Sequence, residues 1–431
     1  MKQVIFILLA GALLLPGLAF GQTEVFFLGH QWGIGAKALA MGGAFSAVAD
    51  DYTASYWNPA GLAQIHRMEL LGSMSHFVMK NDARYLQNSS PTETNATKLN
   101  AFGFVIPYPT YRGSLVFSVG YNRVRSFDEG FGIQHYFHPS ETTAYTQSYD
   151  ELESGSLSNW IFSGALEVTQ NLALGASINI WRGNDDYEWI REYDSELNLF
   201  DYDRTSNLNI ETKYHAVNFK LGALYRLGIL GRIGVTMSTP VKLKADESWS
   251  QKVRDFDNYD PAYADSVFEY KDYGNWDYSI KSPIIMGAGG AFTLFPNLVV
   301  SGDVEYSDWT QMKYESEPSV GDQIEENRKF KREYRATTQI HVGAEFTVPI
   351  VNLQLRGGFF NRPLPFKDAT KQQDRKFLTA GVGMLLDKQV KLDVAWLHGW
   401  WKDQSYLSED IPMLTEKIET DKILATIAFR F

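Results

Sequence analysis

From Arg67 to the C-terminus, hydrophobic and polar residues alternate in segments of about ten residues. One segment alternates Val217, Phe219 and Leu221 with the polar residues Asn218 and Lys220. A period of two indicates a β-strand with one face in apolar and the other in polar surroundings. Strands of about this length that alternate throughout are typical of transmembrane β-barrels, in which every second residue faces lipid.

Fourteen segments show this alternation, and the connections between them are alternately long and short. The predicted strands are Arg67–Met79, Leu99–Tyr108, Gly113–Arg123, Asn159–Val168, Leu172–Arg182, Tyr214–Arg226, Gly231–Val241, Ser282–Phe295, Asn297–Trp309, Thr337–Val348, Val351–Arg362, Arg375–Leu386, Gln389–Trp400 and Lys422–Phe431. The long connections are 80–98, 124–158, 183–213, 242–281, 310–336, 363–374 and 401–421. Outer-membrane barrels have short periplasmic turns and long extracellular loops. The pattern predicts an all-β, transmembrane antiparallel β-barrel of about 14 strands over residues 67–431.

The alternation also predicts which charges face the lumen. The predicted inward cations are Lys220, Arg226, Arg356, Lys391 and Arg430, and the inward acids are Asp303, Glu305 and Asp393. One interpretation is that these charges form ion pairs that bind an internal segment to the wall. The other is that one or two cations bind a substrate carboxylate through charge-assisted hydrogen bonds. The candidate ligand-binding residues are Lys220, Arg226, Arg356 and Lys391.

The N-terminus has the pattern of a secretory signal peptide. Lys2 provides the positive charge, 4–15 form a short apolar core, and small residues precede the expected cleavage after Gly21. The sequence therefore predicts a signal peptide over residues 1–21. The chain has no cysteine, which excludes disulfides, thiolate metal sites and a lipoprotein anchor.

A stretch rich in small residues, 33–63, lies between the signal peptide and the first strand. Gly42-Gly43 permits close backbone approach and positive φ, Asp50-Asp51 can begin a helical turn, and Asn58-Pro59 ends it. This stretch resembles the N-terminal plug of the FadL/TodX (OMPP1) family of outer-membrane transporters of hydrophobic compounds. The resemblance rests on 35–36, 41–44, 47–51 and 58–62, and it predicts a plug (hatch) inside the barrel over residues 22–66. The motif residues are Gly42, Gly43, Asp50, Asp51, Asn58, Pro59 and Ala60.

The resemblance implies passive uptake of hydrophobic compounds such as long-chain fatty acids or aromatic hydrocarbons. A substrate would adsorb at aromatic outer loops and enter an apolar pocket, and a shift of the plug would open the route. Family barrels have a wall opening at a kink in strand three, for which Gly120 is the candidate here. The PorV-like barrels of type IX secretion carry a similar motif. The alternative function is therefore a shuttle or structural component of protein secretion.

Composition narrows the remaining possibilities. Aromatic residues make up 14% of the chain although its mean hydropathy is −0.25, a combination that favours a barrel over a helical membrane protein. The net charge of −11 argues against nucleic acid as a partner. No histidine spacing or nucleophile motif predicts an enzyme, a metal site or a cofactor. The expected partners are hydrophobic small molecules, outer-membrane lipids and lipopolysaccharide, and the barrel-assembly machinery, which would recognise the terminal Phe431. We expect a monomer in the bacterial outer membrane.

Overall fold

The structure is a computed structural model of the 431-residue chain, and it describes residues 33–85, 88–140, 143–195, 202–257, 266–318, 321–386, 389–405 and 414–431. The predicted signal peptide, residues 1–21, lies outside the described residues. None of the described helices is long and apolar enough to cross a membrane.

The strands form one sheet that closes on itself. Their bounds are β1 Glu69–Tyr85, β2 Asn88–Tyr108, β3 Leu115–Ser126, β4 Glu129–Ser140, β5 Thr143–Glu167, β6 Leu172–Ser195, β7 Tyr202–Arg226, β8 Gly231–Ser238, β9 Lys242–Asp257, β10 Ser266–Lys281, β11 Ile285–Phe295, β12 Leu298–Asp308, β13 Lys313–Tyr314, β14 Ala336–Val348, β15 Leu353–Arg362, β16 Arg375–Leu386, β17 Val390–Ser405 and β18 Leu414–Arg430. Fourteen of them form a closed antiparallel barrel, and β4, β9, β10 and β13 extend its sheet at one end. The barrel closes where β1 pairs with β18, with Glu69 opposite Arg430. The predicted strand number is confirmed.

A belt of exposed apolar side chains surrounds the barrel. On β7, Val217, Phe219 and Leu221 are exposed, whereas Asn218 between them is buried in the lumen. On β18, Ile423, Ala425 and Ile427 are exposed, whereas Leu424 and Thr426 between them are buried. This belt is the lipid-facing surface, because an apolar band flanked by aromatic residues is what a barrel presents to a bilayer.

Several strands continue well beyond the belt at one end, where the sequence had predicted loops. β5 and β6 pair without interruption from Glu167 and Ala173 up to Tyr145 and Ser195. The segments 143–158, 183–195, 202–213 and 242–257 are therefore strands. Outside the bilayer both faces of a strand meet polar surroundings, so the alternation that identified the membrane part is lost. These extensions lie on the side of the long connections, which is the extracellular side of such barrels.

Residues 33–65, here called the luminal segment, lie inside the barrel. The segment contains two short helices, Ala36–Ala40 and Ala54–Trp57, and a 3-10 helix, Pro59–Gln64. Most of its residues are fully buried, including Tyr52, Phe45 and Met41. A longer helix, Gln323–Glu333, lies between β13 and β14 at the extracellular end and buries Phe330. A further 3-10 helix, Trp309–Gln311, follows β12.

Candidate functional site

Glycines of the barrel wall make room for the luminal segment. A Cβ atom at Gly343 or Gly358 would lie within 2.5 Å of the backbone of Met41 or Gly42, and one at Gly175 would meet Pro59 and Ala60. The same holds for Gly222, Gly234 and Gly381, which face Asn58, Ser46 and Ala40. Glycine in a strand interior commonly marks a place where another backbone approaches closely. The inward glycines therefore mark the surface of the wall that the luminal segment contacts.

Gly42 and Gly43 have the conformation that the sequence predicts for them. Their φ angles are 63° and 72°, in the left-handed region that glycine adopts without steric cost. The carbonyl of Gly42 accepts a hydrogen bond from the ring of His341 on β14, if Nδ1 carries the proton, at 2.7 Å. The backbone amide of Gly42 donates to Thr379 Oγ1 on β16 at 3.1 Å. The turn at Gly42-Gly43 is thus attached to two wall strands.

Asn58 connects the luminal segment to itself and to β7. Its Nδ2 donates to the carbonyl of Ser46 at 2.7 Å and to that of Ala223 at 3.1 Å. Its Oδ1 accepts from the amide of Ala60 at 3.1 Å and so caps the 3-10 helix that begins at Pro59. All three of these hydrogen bonds from the fully buried Asn58 amide are made to backbone groups.

Asp50 and Asp51 lie among cations of the segment and the wall. Lys37 donates to both carboxylate oxygens of Asp50 at 2.8 Å. Burial raises the pKa of Asp50, but the positive charges of Lys37 and Lys391 outweigh this effect. The pKa of Asp50 therefore lies well below its usual range. Asp51 accepts from the amide of Thr53 at 3.0 Å, which arranges the turn before the helix Ala54–Trp57, and lies 3.7 Å from Lys391.

The wall below Asp51 carries a buried ion-pair network. Arg356 donates to Glu345 at 2.6 Å and to Asp393 at 2.7 Å, and its side chain is completely buried. Lys391 lies 3.5 Å from the carboxylate of Asp393 and thereby joins this network to Asp51. Charges in such surroundings persist only when they are paired and hydrogen-bonded. The network links the wall strands β14, β15 and β17 to the luminal segment.

Two further wall groups bind the segment through its backbone. Asp303 on β12 accepts from the amides of Phe45 at 2.9 Å and Ser46 at 2.7 Å. Lys220 on β7 donates to the carbonyl of Tyr56 at 2.6 Å. Both contacts lie on the side of the luminal segment that faces the extracellular end of the barrel, next to an internal cavity.

Gly120 does not produce the predicted kink in strand three. The residues before and after Gly120 pair without interruption with β2 on one side of the strand and with β5 on the other. A Cβ atom there would lie 2.0 Å from the hydroxyl of Tyr52, which donates to Asn122 at 3.0 Å. Gly120 therefore accommodates a tyrosine of the luminal segment. The irregularity of β3 falls instead between Arg123 and Arg125. The pairing of β2 with β3 ends at Ala101, beyond which β2 pairs with β1 alone among the described residues.

A cavity of about 110 Å³ lies in the lumen directly above the segment, with Tyr56 and Trp57 at its floor. Most of the residues that line it are polar, although polar and apolar atoms contribute about equally to its surface, which differs from the apolar pocket that the sequence led us to expect. The charged and amide residues are Lys220, Asp303, Glu305, Arg362, Asn159, Asn179, Asn218 and Gln339, together with His341. Both signs of charge meet here, so the cavity suits a molecule with a polar or ionised group.

The extracellular side of the cavity is covered by aromatic side chains. Trp181 lines both the cavity and this layer, and its ring nitrogen donates to Asn218 at 2.8 Å. The buried aromatic residues are Phe127, Trp181, Tyr214, Tyr278, Trp309, Tyr314, Phe330 and Tyr334. Phe330 comes from the helix Gln323–Glu333, so this helix takes part in closing the extracellular end. The apolar surface expected of the lumen is therefore found in this aromatic layer.

The four candidate ligand-binding cations occupy different places. Arg356 and Lys391 belong to the buried network beneath Asp51. Arg226 lies at a short turn, where it forms an ion pair with Glu167 at 2.5 Å. Lys220 alone among the four lines the cavity. Ligand binding by these residues stays a prediction, and the geometry favours Lys220 for it.

Sequence reasoning missed Tyr52, His341 and Arg362 as parts of the site. The inward glycines gave a usable signal for Tyr52, because a strand glycine indicates a close neighbour. His341 lies midway along β14 and Arg362 is the last residue of β15, and inward polar residues there have no pattern that separates a cavity from an ion pair.

Comparison with known proteins adds a sequence family and a fold. The sequence matches the model of the outer membrane protein transport protein family (OMPP1/FadL/TodX) over residues 24–431. Comparison with curated proteins finds none that matches the sequence.

Solved structures of bacterial transporters have the same fold. The toluene transporter TodX of P. putida superposes with a TM-score of 0.63 at 13% identity, covering 93% of this chain and 99% of that chain. The toluene transporter TbuX of Ralstonia pickettii gives a TM-score of 0.55 at 17% identity, with 93% and 98% covered. A Pseudomonas aeruginosa FadL homologue gives 0.58 at 10% identity, with 93% and 99% covered. At these low identities the likeness establishes the fold.

Proposed function

Because the chain belongs to the outer membrane protein transport protein family (OMPP1/FadL/TodX), we propose that it is a passive uptake channel for small hydrophobic compounds that carry a polar group. The family consists of transporters of hydrophobic compounds.

The observation that carries the proposal is the cavity between the aromatic layer and the luminal segment. It has about 110 Å³ and is lined by Lys220, Asp303, Glu305 and Arg362. An engineered apolar cavity of roughly 150 Å³ holds a single benzene ring, so the space here corresponds to one small ring or one head group. A long acyl chain does not fit while the luminal segment keeps this position.

The polar lining favours a particular kind of substrate. A bare hydrocarbon would displace water from these charged and amide groups without offering them a hydrogen bond, and such groups cost free energy when they lose water. A substrate carboxylate or hydroxyl can accept from Lys220, whose ammonium has three donors. An aromatic acid or a phenol therefore matches the site better than toluene does. The aromatic layer above would bind the ring first.

The luminal segment would act as the plug. It separates the cavity from the end of the barrel that bears the short turns, so a substrate can pass only if the segment shifts. Lys220 would couple substrate binding to the shift of the luminal segment, because it both lines the cavity and donates to the carbonyl of Tyr56. A substrate anion that attracts Lys220 would weaken this contact and release the segment at Tyr56.

The proposal includes the location and organisation of the chain. Residues 1–21 would direct export and be removed, 22–66 would form the plug, and 67–431 would span the bacterial outer membrane as a monomeric barrel. We propose transport without chemical conversion, as in the family. Hydrophobic small molecules would be the transported partners.

The test is uptake by cells whose outer membrane contains this protein and lacks related channels. Radiolabelled benzoate, toluene and oleate are compared with an empty-vector strain. We expect saturable uptake, with benzoate preferred, and a severalfold lower benzoate uptake in Lys220→Met. Lys80→Met, an outward lysine of β1, is the matched control and should transport normally.

The secretion alternative predicts a different outcome. A PorV-like barrel would take up none of the three compounds above the vector level, and its loss would abolish surface display of a client protein. Equal uptake of all compounds by Lys220→Met and wild type would contradict the proposed role of the cavity while leaving uptake itself intact.

A further inference from the structure

Three lysines stand side by side on the outer surface of neighbouring strands. Lys242 on β9 lies directly opposite Lys281 on β10, and Lys281 lies opposite Lys313 on β13. All three are exposed, and the residues next to them, Leu243, Ile280 and Tyr314, point inward and are buried. We call Lys242, Lys281 and Lys313 the lysine row. Like charges directly opposite one another destabilise a sheet, so this arrangement requires a compensating interaction.

The row lies immediately beyond the lipid-facing belt. Met237 on β8 pairs with Met286 on β11, and both are exposed members of the belt. The chain reaches Lys242 five residues after Met237, and it leaves Lys281 five residues before Met286. The side is that of the strand extensions, which is extracellular. The row therefore lies at the level of the lipid head groups of the outer leaflet.

One described carboxylate lies within the row. Lys242 forms an ion pair with Glu315 at 2.5 Å. The hydrogen bond from Lys242 and the nearby charges of Lys242, Lys281 and Lys313 lower the pKa of Glu315. One carboxylate among three ammonium groups leaves a local excess of positive charge. Lys244, two residues along β9, adds a further exposed cation.

The surroundings exclude a dissolved polyanion as the partner. Four residues beyond the row, Asp246 and Asp277 lie opposite each other on β9 and β10. The chain as a whole has a net charge of −11. A polyanion that approaches from solution meets these acids first, whereas an anion anchored in the leaflet is held at the level of the lysines.

We infer that the lysine row binds the phosphate groups of a lipid in the outer leaflet, of the kind that lipid A presents. Lysine recognises phosphate as a point charge, and each cation near an anionic membrane surface strengthens binding by roughly fivefold. The phosphates of one or two lipid molecules would lie across the three strands. They would neutralise the repulsion between neighbouring lysines and fix the β9–β10 hairpin above the membrane.

The test uses the full-length barrel purified in detergent and mixed with lipid A, with native mass spectrometry as the measurement of bound lipid. We expect wild type to retain diphosphorylated lipid A and to lose the dephosphorylated form. The variant Lys242→Gln/Lys281→Gln/Lys313→Gln should bind roughly a hundredfold more weakly. Glu315→Gln should bind about fivefold more tightly, because it removes the carboxylate that competes with phosphate.

The matched control is Lys80→Gln/Lys417→Gln, which removes two equally exposed outward lysines that are each beside a carboxylate. This variant should retain lipid A as wild type does. An equal loss in the control, or equal retention of dephosphorylated lipid A, would overturn the inference. So would complete displacement by inorganic phosphate, which would indicate a site for a free anion.

Discussion

The carboxylate of Asp303 accepts a hydrogen bond from the backbone amide of Ser46 at 2.7 Å, and so a wall residue holds the backbone of the luminal segment. The amide of Phe45 donates to the same oxygen at 2.9 Å. Asn58, Thr379 and Lys220 also bind backbone groups across this boundary. These polar contacts join the segment to the wall, in addition to the packing of its apolar side chains against wall residues.

Asp303→Ala should loosen the luminal segment. The substitution removes the carboxylate that accepts from the Ser46 amide and leaves the Phe45 amide with the carbonyl of Gly43 alone. A hydrogen bond to a charged group is worth about 2 kcal/mol. We expect faster hydrogen exchange of residues 33–65 while exchange of the barrel strands is unchanged. Asp308→Ala, on the same strand but at the cap of Thr310, is the control. Unchanged exchange of the segment would show that Asp303 does not hold it.

Arg356→Met should destabilise the whole barrel. It removes the cation that pairs with both Glu345 and Asp393 in a buried site and leaves Asp393 with the more distant Lys391, which costs about 3–5 kcal/mol. Arg226→Met removes the more exposed pair with Glu167 and should cost at most about 1 kcal/mol. Urea unfolding in lipid vesicles, followed by tryptophan fluorescence, measures both. Similar unfolding midpoints for the two variants would contradict the assignment of Arg356 to a structural network.

The extracellular extension of β5 and β6 should lose stability as the pH rises from about 4.5 to 7. Burial raises the pKa of Glu151 to about 7, and burial, which outweighs the attraction of Arg125, raises that of Asp185 to about 7. Both residues lie beyond the lipid-facing belt. The folded extension therefore keeps protons in this range that the unfolded chain releases, and stability falls with pH.

Hydrogen exchange of this extension, corrected for the intrinsic effect of pH, measures the change. We expect greater protection at pH 5 than at pH 8, and a smaller difference in Glu151→Gln. A rise in protection with pH would contradict the assigned direction of the two pKa shifts.

Single cysteines test the orientation, because the chain has none of its own. Tyr273→Cys places a thiol on β10, 81% exposed, in the extracellular extension. Ile229→Cys places one in the turn between β7 and β8, 92% exposed, on the opposite side. An impermeant thiol reagent should label the first on intact cells and the second only after the outer membrane is opened. The reverse labelling pattern would show that the barrel has the opposite orientation in the membrane.

The membrane-spanning part of the fold was readable from the sequence because the bilayer imposes a strict alternation. Val217 and Phe219 must face lipid and Asn218 must not, so the alternation identifies the strand from the sequence. No such constraint acts on Tyr187 or Trp249 in the extracellular extensions, and these strands were predicted as loops. The bend proposed at Gly120 was wrong because a strand glycine has two explanations, and Tyr52 decides between them only in three dimensions.

The site was partly readable for the same reason. Arg356, Lys391 and Asp393, which were predicted to face the lumen, are buried, and the small-residue motif marked the segment that lies inside. Which cation pairs with which acid depends on barrel closure, which brings Lys391 to Asp51 across 340 residues of sequence. The polar character of the cavity depends on Arg362 and Glu305 from different strands, and no local pattern connects them.

The measurement that tests the plug-gated channel most directly is hydrophobe flux in Asn58→Ala. This variant loses the hydrogen bonds to Ser46 and Ala223 that hold the luminal segment on β7, while the barrel wall is untouched. Benzoate and toluene uptake is compared with wild type at equal amounts of folded, heat-modifiable barrel, with surface display of a client protein measured in the same cells. We predict a severalfold change in uptake with client display unaffected. Unchanged uptake in correctly folded Asn58→Ala, or a loss of client display alone, would contradict the account.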